Sequence, residues 1–315
     1  MAGQEALRRA DASARPGPPF DLVALNRASV AARSPLKVVV FNAGGGANVS
    51  AIAACLSRPS MADAGTILVC EASWRVPRHR RVKFASELAA RLGMSFAFIP
   101  AFGRAEDGGE IRAVGNAILC AQPLDDLRIV RLPDVRPRFL GYYRMPGTPT
   151  GLAATIGVAG RRLTIAVVHL ERRCAPAGRA LQMERFLGAL AADNPVVIGG
   201  DLNTTTLDMG VRAALVRAGA TMLVRPRRFR APQPYEPLFE RLRGHGFVLD
   251  GANVARAPTF APSRLVPPQW RPKLDWIAAR GLTPVAGSAA VVPAQAARWG
   301  PRISDHDFVV SEFRM

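Results

Sequence analysis

Lysine is scarce in this 315-residue sequence: Lys37, Lys83 and Lys273 stand among 42 basic residues, the others all arginine. Acid is in deficit too, with 24 Asp and Glu and a formal net charge of +18. This balance argues against a basic partner. Arginine binds phosphate as a bidentate fork, which points to nucleic acid, an anionic lipid headgroup or a phosphorylated metabolite. A general bias toward Ala, Arg, Gly and Pro accounts for the same excess, so charge alone does not choose. Cysteine is also rare. Cys55, Cys70, Cys120 and Cys174 form no C-x-x-C pair, which excludes a thiolate zinc ribbon, a thioredoxin-type motif and a dense disulfide framework. Cys70 and Cys120 lie in apolar runs and read as small buried hydrophobes. Cys174 reads as the most exposed thiol, with nothing beside it to make a nucleophile. No run of 18 or more apolar residues predicts a membrane-spanning helix. The opening MAGQEALRRADASARPGPPF has no apolar stretch behind basic residues of the secretory kind. A reducing, cytoplasmic setting is the expectation.

What the chain has is a core. Hydrophobic residues make up 49% of it, and its length is enough for one large α/β domain or two small ones. Residues 1–35, Arg/Ala-rich with Pro16, Pro18 and Pro19, read as a mobile tail with a short docked segment at Phe20–Leu25, and 36–315 as a single catalytic domain. LKVVVF (36–41), TILVC (66–70), SFAFIPAF (95–102), NAILCA, LRIVRL, LAATIGV, LTIAVVHL and VVIGG (196–200) read as strands. FVLDGA, KLDWIAAR, AAVVPA and FVVSEF extend the list. Helices are predicted over 47–59, 80–94 (Phe84, Leu88 and Leu92 at helical spacing, Gly93 as the stop), 175–193 and 208–219. The Arg- and Pro-rich stretch 220–272 reads as long loops. The strands outnumber those of a simple doubly wound sheet, and two stacked sheets flanked by helices accommodate them.

The strands end in polar residues. LKVVVF runs into Asn42, TILVC into Glu71, LTIAVV into His169, and VVIGG into Asp201 and Asn203; Asp275 interrupts KLDWI, and Asp305 and His306 precede the last strand. One strand-end Asp or Asn is ordinarily a turn or cap. Several such ends, aligned by a sheet along one edge, gather polar groups that are costly to bury unless they pair or bind a metal. The oxygens suit Mg²⁺ or Mn²⁺. The histidines add acid/base capacity, and Asp275 is placed to fix the tautomer of His306. The pattern fits metal-assisted attack of water on phosphorus.

The stretches VVVFNA (Asn42), ILVCEAS (Glu71), VGNAIL (Asn116), VVHLE (His169), VVIGGDLNT (Asp201, Asn203), KLDWIAA (Asp275) and ISDHDFV (Asp305, His306), in this order, resemble the endonuclease/exonuclease/phosphatase superfamily, whose fold is shared with deoxyribonuclease I. The resemblance spans residues 36–314. It implies a four-layer αββα sandwich of two mixed β-sheets flanked by helices. It implies a Mg²⁺ or Mn²⁺ held mainly by Glu71, with Asn42 and Asp305 nearby. Asp201 would position or deprotonate the attacking water, Asn203 would orient it or bind the phosphate, and His169 and His306 would hydrogen-bond the phosphate, with Asp275 orienting His306. Some members carry an Asp where this chain has Gly44, which weakens the likeness to abasic-site endonucleases; His169 leans toward the deoxyribonuclease I and sphingomyelinase branches.

Outside these stretches the readings are plainer. GGG at 44–46 lacks the context of a phosphate loop and reads as a flexible turn. His79 and His245 read as solvated or turn residues. Arg75, Arg78, Arg80, Arg81 and Lys83 either rim the site or form a solvated loop. VRPRRFR (224–230) offers Phe229 for base stacking or membrane contact. Asn116 and Arg112, just before GNAIL, are candidate substrate contacts, and Trp276 reads as packing. The leading expectation is a metal-dependent phosphodiesterase acting on nucleic acid. A phosphomonoesterase or sphingomyelinase-like phospholipase is the alternative, and a noncatalytic binding module on the same fold is a third.

Overall fold

Valine-rich Leu36–Asn42 forms a strand buried on both faces, as a short β-branched run flanked by helices should. It belongs to a computed structural model that describes residues 22–27, 34–45, 48–76, 82–106, 110–136, 147–190, 194–208, 217, 220–221, 223–261, 263, 266–295 and 301–315. The strands in chain order are β1 (Val23–Leu25), β2 (Leu36–Asn42), β3 (Thr66–Val76), β4 (Val82–Lys83), β5 (Ser95–Glu106), β6 (Glu110–Cys120) and β7 (Asp125–Arg131), then β8 (Thr150–Val158), β9 (Arg161–Val167), β10 (Val196–Asp201), β11 (Asp275–Arg280), β12 (Thr283–Pro284), β13 (Ala290–Val292) and β14 (Phe308–Arg314). The helices are α1 (Val49–Leu56), α2 (Phe84–Leu92), α3 (Pro176–Leu187), α4 (Arg227–Arg230) and α5 (Leu238–Gly244).

The first sheet runs β1-β5-β6-β3-β2-β14-β12, with β13 also on β14 and β4 on β3; the second runs β11-β10-β9-β8-β7. Each is mixed: β2 is parallel to β3 and β9 to β10, and the other pairings are antiparallel. Alternation along the strands sorts the core into three layers. Val38, Leu68 and Ile118 meet Leu152, Ile165 and Ile277 between the sheets. Phe41, Val69 and Leu119 pack outward against Ile52 of α1 and Leu88 of α2. Ile198, Ala166 and Trp276 pack on the other side against Met183 and Phe186 of α3 and Phe239 and Leu242 of α5. The result is the four-layer αββα sandwich. Burying each such side chain contributes about 1.5–3 kcal/mol, and Phe239 adds an edge-to-face contact to Trp276 at 4.8 Å.

Several expectations need correction. FVLDGA is not a strand; only Val248 makes an isolated bridge, to Ala279. The 220–272 region is not merely loops, since α4 and α5 lie in it and Leu238, Phe239 and Leu242 are fully buried. Phe229 is buried and so is not displayed for stacking. Cys174 is buried at 1% exposure, and burial pushes its thiol up to about 12; it donates to Glu171 O. Val23–Leu25 dock on β5 as an edge strand, within the segment expected at 20–25. Most of the 1–35 stretch, the 208–219 helix, His79, Arg78, Arg80 and Arg81 lie outside the described residues.

Candidate active site

The sheets are stacked so that β10 and β11 lie over β2, with β10 also over β3 and β11 over β14. The polar ends of these strands therefore meet at one edge. Asn42 ends β2, Asp201 ends β10, and Asp275 opens β11 directly opposite Asp201 in register. Two glycines allow close approach here, Gly199 between the sheets and Gly200 to the chain after β9 within its own sheet. A Cβ on Gly199 would lie 2.3 Å from Val40 Cγ2, and one on Gly200 would lie 1.9 Å from the Val168 carbonyl oxygen. Glu71 sits inside β3, at the bulge between Val69 and Ala72. Its φ of 53° is left-handed, unusual for a non-glycine residue. The bulge turns the carboxylate out of the ladder and into a cleft of about 870 Å³.

Seven of the candidate residues line that cleft: Glu71, Asn116, His169, Asp201, Asn203, Asp305 and His306. Asp201 is the hub. Its Oδ2 accepts from Asn42 Nδ2 at 2.9 Å and its Oδ1 from the Asn203 backbone N–H at 2.9 Å. His169 Nε2 and His306 Nε2 stand 3.5 and 3.7 Å from Oδ2, beyond hydrogen-bond range. Both ring nitrogens thus keep hydrogen-bonding capacity for a group placed among them. Asn203 has φ 48° and donates through Nδ2 to Leu170 O at 2.8 Å. The chain therefore turns at Asn203, yet the Asp201 and Asn203 side chains both border the cleft, while Leu202 points into the core.

Asp275 stands behind His306. His306 Nδ1 bonds its Oδ2 at 2.8 Å, and Thr259 Oγ1 donates to the same oxygen at 2.7 Å. Thr259 Oγ1 in turn accepts the backbone N–H groups of Leu274 and Asp275. The 259–261 segment is zipped onto 305–307 through Ala261 N to Asp305 O and Asp307 N to Thr259 O, both 2.7 Å. Phe260 thereby rests on the His306 ring, centroids 4.8 Å apart. Burial alone would lower the His306 pKa. The charges of Asp275 and Asp201, the hydrogen bond the ring donates to Asp275 and the charge of Asp305 outweigh it and lift the ring to about 10. Asp275 is raised from its ordinary value by burial and by the Asp201 charge, against the pull of His306 and Thr259.

Two donor sets compete for a metal. Asp201, Asp275 and His306 offer atoms within 4.8 Å of one another. Asp275 Oδ2 is already taken twice, however, and a ring held protonated by its carboxylates is a poor ligand, so this trio reads as a hydrogen-bonded acid–base relay. Glu71 presents oxygen to the cleft near Asn42, whose Nδ2 lies 3.4 Å from Oε1. Gly44 leaves room beside Asp305: a Cβ there would lie 3.3 Å from Asp305 Oδ1. An all-oxygen pair of carboxylates fits a hard divalent cation. Asn42 turns Nδ2 toward Glu71 and Asp201 while its Oδ1 accepts from Gly44 N at 2.9 Å, so it braces carboxylates here. Asn116 donates to Thr150 O, tying the sheets together at the cleft floor. Arg112 is exposed and lies outside the cleft lining.

The sequence reading missed Thr259 and the strut behind the loop at 202–206. Arg179 and Glu236, both fully buried, pair through two hydrogen bonds of 3.0 and 2.7 Å. Glu236 Oε1 also accepts the Thr206 N–H at 2.7 Å. Thr204 donates to Lys273 O and accepts from Trp276 Nε1. A helical Arg and a loop Glu 57 residues apart carry no local signal.

Comparison with solved structures finds the same fold. A Beutenbergia cavernae endonuclease/exonuclease/phosphatase superposes with a TM-score of 0.62 at 19% identity, covering 90% of this chain and 72% of that one. D. rerio TDP2 in complex with a single-strand DNA product gives 0.54 at 17%, covering 90% and 100%. Sphingomyelinase C from Streptomyces griseocarneus gives 0.50 at 17%, covering 89% and 99%. Comparison with curated proteins yields no significant match. The family model for the endonuclease/exonuclease/phosphatase family matches residues 41–306, and the chain belongs to that family.

Proposed function

We propose that the protein is a divalent-metal-dependent phosphoesterase that cleaves phosphodiesters, with nucleic acid as the first substrate class. The observation that carries this reading is the placing of Asp201: a buried carboxylate facing two histidine Nε2 atoms at 3.5 and 3.7 Å, too far to be satisfied by them and close enough to share a small group with them. In this reading a water lies against Asp201, which accepts its proton as the oxygen attacks phosphorus; the P–O ester bond breaks, and the departing alkoxide takes a proton from one of the two histidines facing Asp201. Asn203 orients Asp201 through its backbone N–H. His169 and His306 donate to the phosphate oxygens, and Asp275 keeps the His306 Nε2 proton aimed at the cleft. Glu71 and Asp305, braced by Asn42, would hold Mg²⁺ or Mn²⁺, which when bound neutralises charge on the phosphoryl oxygens. Asn116 and Arg112 contact the rest of the substrate.

A net charge of +18 and the single-strand DNA product held by the TDP2 relative favour nucleic acid. The cleft's apolar wall, with Phe102, Phe260 and Leu274, favours as second reading a sphingomyelinase-like phospholipase. The test offers purified protein, with Mg²⁺ or Mn²⁺, plasmid DNA, RNA, a phosphodiester chromogen, inositol phosphates and sphingomyelin vesicles. Turnover of the diesters, abolished by chelation, is expected. Turnover of inositol phosphates alone would replace diester with monoester chemistry, and no turnover with no metal binding would favour a noncatalytic module.

A further inference from the structure

Strands β9 and β10 run parallel and side by side, so the segments that follow them, 168–174 and 202–206, leave the sheet at the same edge. The first carries His169; the second follows Asp201 and carries Asn203. Close to the strands the two segments are joined directly. Leu170 N donates to Asp201 O at 3.0 Å, and Asn203 Nδ2 donates to Leu170 O at 2.8 Å. Their far ends are both held from α3 by Arg179. Its Nη1 donates to Cys174 O at 3.0 Å, while Nε and Nη2 grip Glu236 at 3.0 and 2.7 Å. Glu236 Oε1 in turn accepts the Thr206 N–H at 2.7 Å. Gln182, three residues along the same helix face, accepts the Glu171 N–H at 2.9 Å and donates to Pro133 O at 2.8 Å. One guanidinium thus links the end of the His169 segment to the end of the Asp201–Asn203 segment.

Two charges at 0% and 1% exposure are costly to bury. Burial lifts the Glu236 carboxyl above its ordinary value in spite of the hydrogen bonds from Arg179. A well-packed apolar pair of similar volume would hold helix and loop together as firmly or more so. What it would lack is direction, because the planar fork fixes Cys174 O and Glu236 relative to one another. The gap that depends on this direction is narrow. His169 Nε2 stands 3.5 Å from Asp201 Oδ2, about 0.5 Å beyond an ordinary hydrogen bond. A slip of that size would join the two groups and use up the capacity each keeps for a ligand. We propose that the Arg179–Glu236 pair is a positioning clamp: it fixes the 168–174 and 202–206 segments to one another and so holds His169 and Asp201 just too far apart to bond, leaving both free for water and phosphate. This role rests on the phosphodiesterase reading. Neither clamp residue lines the cleft, so the pair acts through the side chains it positions.

The test measures kcat and KM for a small phosphodiester chromogen with Mn²⁺, beside urea unfolding. Arg179→Met/Glu236→Leu removes both charges and should keep most of the native urea midpoint. Its kcat should nevertheless be lower by about tenfold, with kcat and kcat/KM falling together. In a His169→Ala background, where no ring can close on Asp201, the same double substitution should lower kcat by less than about twofold. A residue pair that only stabilised the fold would act alike in both backgrounds. Arg179→Lys keeps the charge and gives up the fork, and should show the same dependence on His169 in milder form; it carries the test if the double variant does not fold. A folded variant working at the native rate, or equal losses with and without His169, overturns the clamp and leaves the phosphodiesterase reading standing. Absence of diester turnover by the native protein overturns that reading and the clamp with it.

Discussion

Replacing Asp275 with asparagine removes one charge and leaves the shape of the side chain nearly intact. The carboxylate bonds His306 Nδ1 at 2.8 Å with 0% exposure. Lifting the ring from the ordinary 6.5 to about 10 corresponds to about 5 kcal/mol at about 1.36 kcal/mol per pH unit. Asp275 is itself raised by burial, so the two partners pull in opposite senses: the ring gains from the pair and the acid loses by entering it. The 5 kcal/mol is therefore a ceiling, and a loss of about 3 kcal/mol at neutral pH is expected, at the low end for breaking a buried pair. The pH dependence has a definite sign. Because the folded His306 holds its proton more tightly than the unfolded one, its contribution is fully present below about pH 6.5 and is lost as pH rises toward 10. Urea unfolding of the native protein should show stability falling across that window, by up to about 1.4 kcal/mol per pH unit. In Asp275→Asn the decline should flatten, and NMR should find the His306 titration moved down toward its ordinary range. A variant within about 0.5 kcal/mol of native with an unchanged pH slope would refute the reasoning.

Other consequences follow from the same geometry. Arg179→Met should destabilise by roughly 3–5 kcal/mol, because Glu236 is left as an unpaired buried charge, and Arg179→Met/Glu236→Leu should recover much of it by urea midpoint. Gly199→Ala should lower stability by about 1–3 kcal/mol, its Cβ being forced toward Val40 and Leu68. Thr259→Val should leave the backbone N–H groups of Leu274 and Asp275 without their acceptor, costing about 1–3 kcal/mol by urea midpoint. All four thiols should resist alkylation in the folded protein, since each is buried and its pKa raised.

The strand-end residues were legible because the strands are short apolar runs, and whatever follows them must sit at a sheet edge. Asn42 and Asp201 announce themselves this way, as does His306 just before the last strand, whereas β3 runs on past Glu71 to Val76; Asp201 is a hub of hydrogen bonds in the cleft, where a turn or cap would have been the plain reading. The rest was hidden for physical reasons. The left-handed turn at Glu71 has no glycine to mark it. Thr259 sits in a proline-flanked stretch with no periodicity, and its partners lie on a strand 16 residues away. The α5 helix is only seven residues long and follows a proline, so an Arg- and Pro-rich composition concealed it. FVLDGA has a strand's composition and lacks a strand's partner: Phe247, Leu249 and Ala252 are buried by packing, and one bridge is all the ladder it forms.

The central claim is that Asp201 acts on a water at a metal-bearing phosphoesterase site. Steady-state hydrolysis of a small phosphodiester chromogen tests it most directly, with Mn²⁺ or with chelator, for the native protein and Asp201→Asn. Turnover should vanish with chelation, and kcat should be lower by about 10²–10⁴-fold in Asp201→Asn while the variant remains folded. Turnover indifferent to chelation, or a folded Asp201→Asn protein working at the native rate, would contradict it.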